Sequence, residues 1–151
     1  MTAVVPTNQQ FEDAFATARV SKGYLARYYL RAIDKAMDID PDPEFVANED
    51  YDATNLEHIA PLKPGAGWNL SPDEATSVQS LMGNLTLLSA KKNVALGNEP
   101  FSEKVKAYKD SSYTITNTLE KYGDAFGLKE IRERQAELAK FALKTWPLTF
   151  E

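Results

Sequence analysis

At 151 residues, with 43% hydrophobic residues and a mean hydropathy of −0.42, the chain is about one domain long and can bury a real core. It contains no cysteine, which excludes disulfides, cysteine-zinc knuckles and thiol catalysis and leaves any metal to oxygen and nitrogen ligands. No apolar run approaches the roughly 20 residues of a membrane helix and the start lacks the features of a signal peptide, so a cytoplasmic location with no membrane contact is expected.

The net charge of −5 argues, taken alone, against a nucleic-acid partner. Its distribution alters that reading. Asp38, Asp40, Asp42, Glu44, Glu49, Asp50, Asp52 and Glu57 lie in a stretch without Lys or Arg, so the acidity is local. A basic strip follows later, with Lys91, Lys92, Lys104, Lys106 and Lys109 against Glu99 and Glu103.

Residues 8–18 and 21–38 read as helices. In the second, Tyr24, Leu25, Tyr28, Tyr29, Ala32, Ile33, Ala36 and Met37 recur at spacings of three and four and are expected to form a core stripe rather than a base-stacking platform. Asp38 to Asp52 reads as a solvated loop, because Pro41, Pro43 and dense acids forbid a continuous helix. It lacks the oxygen spacing and central glycine of a calcium loop. Ala53 to Ala60 is the first strand, stopped by Pro61, and Pro64 to Gly67 forms a turn.

Ser71-Pro72-Asp73-Glu74 starts a helix to about Leu81, with Ser71 as cap, Pro72 at the first helical position and Glu74 completing a capping box. Gly83 ends it. Leu85 to Leu88 makes a short strand and Ala90 to Leu96 a short helix broken by Gly97. Pro100 opens another helix, for which Asn98 is the expected cap. Residues 112–122 are helical, and the last helix, Leu128 to Trp146, places Leu128, Ile131, Leu138, Ala139, Ala142 and Trp146 on a buried stripe before Pro147. Neither an internal repeat nor a dividing linker is evident, so 1–151 is expected to be a single domain: helices and an acidic loop over 1–50, a central unit over 51–98 and helices over 99–151.

The only histidine, His58, lies in Leu56-Glu57-His58-Ile59-Ala60-Pro61. Two short strands joined by a loop and followed by a helix, with a His on the first strand and asparagines on the second part, is the layout of a ββα-metal site. The chain resembles an HNH nuclease of the His-Me finger superfamily, through Glu57 directly before His58, Asn84 in the loop and Asn93 nine residues further on the helix. A resemblance over most of the chain is to the C-terminal nuclease domain of the GmrSD group of modification-dependent restriction enzymes, which includes the SspE proteins of phosphorothioate-sensing defence. It rests on the order and spacing of Leu56 to Pro61, Trp68, Gly83-Asn84-Leu85-Thr86-Leu87-Leu88, Asn93, Asn98, Phe101, Lys104, Ile131-Arg132-Glu133-Arg134 and Trp146.

These resemblances imply a mostly helical α+β fold, with a ββα-metal core whose two-stranded antiparallel hairpin is embedded among flanking helices. They imply a DNA endonuclease, the effector of a bacterial anti-phage restriction system, joined to an N-terminal modification-sensing nucleotide-binding domain that this chain does not carry. His58 would be the general base and Asn84 would orient its imidazole. Glu57 and Asn93 would be metal ligands, hard oxygen donors suited to Mg²⁺ or Mn²⁺. Lys91, Lys92, Lys104, Arg132 and Arg134 would contact the nucleic acid, although lysine runs are more often solvated faces. Strand alternation should send Glu57 and His58 to opposite faces, which sharing one metal must overcome. A catalytically silent nucleic-acid-binding domain and a helical protein-interaction module remain the alternatives.

Overall fold

The computed structural model describes residues 5–39, 50 and 53–148, within which the chain is a mostly helical α+β protein. Apart from Asp38, Ile39 and Asp50, the expected acidic loop lies outside the described residues. The helices are α1 (Asn8–Phe15), α2 (Gly23–Met37), α3 (Pro72–Val78), α4 (Ala90–Leu96), α5 (Phe101–Tyr108), α6 (Thr114–Asn117) and α7 (Leu128–Thr145). Two strands, β1 (Thr54–His58) and β2 (Leu85–Ser89), pair antiparallel, Glu57 facing Thr86 and His58 facing Leu85.

Local chemistry explains most boundaries. Ser71 and Glu74 close a reciprocal cap around Pro72, with bonds of 2.8 and 3.2 Å, and start α3. The first helix stops earlier than expected because the chain turns to lay Val20 N–H on the Ser80 carbonyl at 2.8 Å. The helix expected over 112–122 is a single α turn followed by a 3-10 segment, Thr118–Tyr122. Gly83 does not end α3; it lies in a separate 3-10 turn, Met82–Asn84, that leads into β2.

The expected stripe on α2 holds in part. Ile33 is fully buried and Tyr29 and Met37 pack against the core, whereas Tyr24 and Tyr28 are each 54% exposed. Ala26 and Leu30, outside that stripe, are fully buried. So many apolar residues crowd this helix that several faces satisfy a 3.6-residue period, and the fold selects the slimmer one, which packs on α7. On α7 the buried stripe also takes in Arg134 and Gln135.

The two strands divide the apolar interior. Leu56, Leu85 and Leu87 face a cluster with Leu30, Ile33 and Leu138. Leu88 faces another, with Phe101, Tyr108 and Phe126. Alternation thus turns Glu57 toward α5 and His58 toward the α2 side.

Candidate active site

The end of β1 is held from several directions. Glu57, 5% exposed, accepts bonds from Lys104 Nζ and Tyr108 Oη on α5, each at 2.7 Å and each to Oε1. Its Oε2 takes no protein partner among the described residues, and Glu57 lines a cleft of about 390 Å³. Tyr108 is buried against this carboxylate; burial first, then the Glu57 charge, raises its phenol well above the ordinary value, so it stays a donor.

His58 lines the same cleft and a second one bounded by Ser21, Gly23, Gln79 and Ser80. Its imidazole pKa is lowered, chiefly by burial and then by the Lys104 charge, against an opposing hydrogen bond to the Gln79 carbonyl. With its pKa lowered, the imidazole is neutral at neutral pH and keeps one ring nitrogen as an acceptor. The expected orienting residue, Asn84, does something else. It is fully buried, and its Oδ1 accepts Ala60 N–H at 2.8 Å while its Nδ2 donates to Ala60 O at 3.1 Å. With Ile59 N–H on the Asn84 carbonyl at 2.9 Å, it clamps the backbone just after His58 instead of touching the ring. The pairing arises because the Met82–Asn84 turn lies directly across from the strand's exit.

That turn is pinned in its turn by α7. Gln135 Oε1 accepts Gly83 N–H at 2.5 Å, and Arg134 donates to the carbonyls of Met82, Gly83, Leu85 and Ile115 at 2.7 to 3.2 Å. A Cβ on Gly83 would run into the Ile131 carbonyl oxygen, so only glycine permits this approach.

β2 runs straight into α4, which carries Asn93 back over β1, where its Nδ2 reaches Leu56 O at 3.5 Å. Its Oδ1 takes no protein partner among the described residues. Glu57, His58, Asn93 and Asn98 therefore meet at one cleft although Glu57 and His58 leave β1 on opposite faces. Asn98 is not the cap of α5, a position taken by Pro100 without a side-chain bond. Among the described residues no three His, Asp or Glu side chains gather. Glu57 Oε2 and Asn93 Oδ1 are oxygen donors in the cleft lining, of the kind that fits a hard divalent ion that keeps most of its waters.

The expected nucleic-acid contacts divide. Lys91 and Lys92 are exposed on α4, the helix of Asn93, and Arg132 is exposed on α7 away from the cleft lining. Lys104 and Arg134 are not presented to a phosphate at all. Lys104 is 1% exposed and bound to Glu57 and to the carbonyls of His58 and Ile59. Arg134 is 3% exposed, spent on backbone carbonyls, and burial pushes its pKa down to about 10, which leaves it charged at neutral pH. Carbonyls left over by the Met82–Asn84 turn and the end of β1 supply the acceptors these buried cations need. Sequence reasoning missed Gln79, Tyr108 and Gln135, for which spacing along the chain carries no signal.

No curated protein matches the chain. A family model described as the C-terminal domain of GmrSD restriction endonucleases matches residues 5–141, and the chain therefore belongs to that family of nuclease domains.

Proposed function

We propose that the cleft at the end of β1 is an HNH-type active site that hydrolyses DNA phosphodiester bonds with the help of Mg²⁺ or Mn²⁺. The observation that carries the reading is the convergence of Glu57, His58 and Asn93 on one cleft, with Asn84 locking the backbone beside the histidine. His58 takes a proton from water through its unprotonated ring nitrogen, and the resulting hydroxide oxygen bonds to phosphorus as the bond to the departing sugar oxygen breaks. Glu57 through Oε2 and Asn93 through Oδ1 would hold the divalent ion. Bound there, the ion offsets charge on the scissile phosphate and the leaving oxygen. Lys91 and Lys92, beside Asn93 on α4, contact neighbouring phosphates and hold the strand across the cleft.

Family membership supports a place as the effector of a restriction system acting against phage DNA in the cytoplasm, with an N-terminal modification-sensing, nucleotide-binding domain as its partner. The whole chain is then one nuclease domain. The test is cleavage of a labelled duplex across pH with Mg²⁺, Mn²⁺ or a chelator. Cleavage should need the metal, and its acid limb should lie below the ordinary imidazole value near ~6.5, because His58 is held below it. Cleavage that persists in chelator contradicts the reading.

A further inference from the structure

Lys104 is built into this site from beneath. Its ammonium uses three donors on the end of β1: Glu57 Oε1 at 2.7 Å, His58 O at 3.0 Å and Ile59 O at 3.2 Å. The Trp68 ring lies 5.9 Å from it on another side. A cation so enclosed cannot swing out to meet a phosphate, yet its charge is felt in the cleft one carboxylate away.

The charges around the cleft then have a consequence for any divalent ion. Among the described residues Glu57 is the only acid in the cleft lining, which also holds the cation Lys63. Lys104 behind Glu57 offsets that acid's negative charge. An ion entering alone finds oxygen donors but, among the described residues, no net negative charge, and the deficit has to be met by the ligand that follows it. A polynucleotide phosphate meets it, with one oxygen free to join Glu57 Oε2 and Asn93 Oδ1.

We propose that Lys104 makes metal binding at this cleft conditional on the polynucleotide, so that the divalent ion and the phosphate enter as a pair. This rests on the functional reading above. It keeps the free protein poor in metal and confines the assembled site to DNA already in place.

Mn²⁺ binding, followed by its electron paramagnetic resonance signal, tests it on the His58→Ala protein, in which cutting should be slow enough for the duplex to outlast the measurement. Adding a duplex oligonucleotide should tighten Mn²⁺ binding by about tenfold or more. Lys104→Met on the same background should bind Mn²⁺ alone about tenfold more tightly and gain less from DNA. Tyr108→Phe, which removes a neutral donor from the same carboxylate oxygen, should keep the gain. Lys63→Gln, on the exposed rim and safe for folding, should shift the metal-only affinity in the same direction by a smaller factor. Mn²⁺ affinity independent of DNA, or unchanged in Lys63→Gln and in a folded Lys104→Met, overturns the proposal while metal-dependent cleavage by the wild type leaves the functional reading standing. Absence of Mn²⁺ binding in every state, with no cleavage by the wild type, overturns both.

Discussion

Lys104 Nζ sits 2.7 Å from Glu57 Oε1, and both side chains are almost wholly withdrawn from water. Removing one partner strands the other's charge, so Lys104→Met should cost about 3 to 5 kcal/mol in urea unfolding. Lys104→Met combined with Glu57→Gln should cost less than the single Lys104→Met change, because the neutral amide keeps the Tyr108 bond without a buried charge. Additive losses would show that the pair is not coupled.

Asn84→Ala removes both bonds to Ala60 and leaves that residue's N–H and carbonyl without them in the interior. The expected loss is roughly 1 to 3 kcal/mol in thermal or urea unfolding, with cleavage falling by a larger factor than the residual folded fraction explains. Its pH profile should keep the wild-type acid limb, since the Asn84 side chain bonds the Ala60 backbone and not the His58 ring. A displaced acid limb would show that Asn84 orients the imidazole after all.

Gly83→Ala places a methyl group against the Ile131 carbonyl, which belongs to the backbone of α7 and cannot turn aside. The variant should lose on the order of 3 kcal/mol by calorimetry. A melting temperature equal to wild type would mean that α7 does not approach the Met82–Asn84 turn this closely.

Asp34 links α2 to α6 by accepting Ile115 N–H at 2.8 Å, while burial, its largest influence, raises its pKa from 3.8 to about 6. A raised folded-state value means that its protonated form is favoured in the native protein. This contribution to stability is fully present below about 3.8 and is lost as pH rises through about 6. Asp34→Asn keeps an acceptor oxygen without the charge, so it should stabilise the protein at pH 7 by up to about 3 kcal/mol, since each tenfold change in proton affinity is worth about 1.4 kcal/mol. The advantage over wild type should vanish below pH ~4; unfolding curves across that range decide it.

What was legible in the chain follows the range of the forces involved. The capping pair Ser71 and Glu74, the α4 limits and the β1 and β2 segments are set by neighbours a few residues away, and they read directly. The grouping of Glu57, His58 and Asn93 at one cleft was legible through motif spacing. Lys104 and Arg134 were not, because charge reads as exposure until distant carbonyls are placed around it. The same holds for Asn84, whose partner lies on the far side of the loop, and for Tyr24 and Tyr28, whose expected burial rests on a period that several faces of α2 share.

The most direct test of the account is the cutting of supercoiled plasmid in Mg²⁺ or Mn²⁺ by the wild type beside His58→Ala, with circular dichroism to show that both are folded. The account predicts nicked or linear product from the wild type and a rate lower by roughly a hundredfold or more from the variant. Plasmid left intact by both proteins, or cut equally by both, would contradict it.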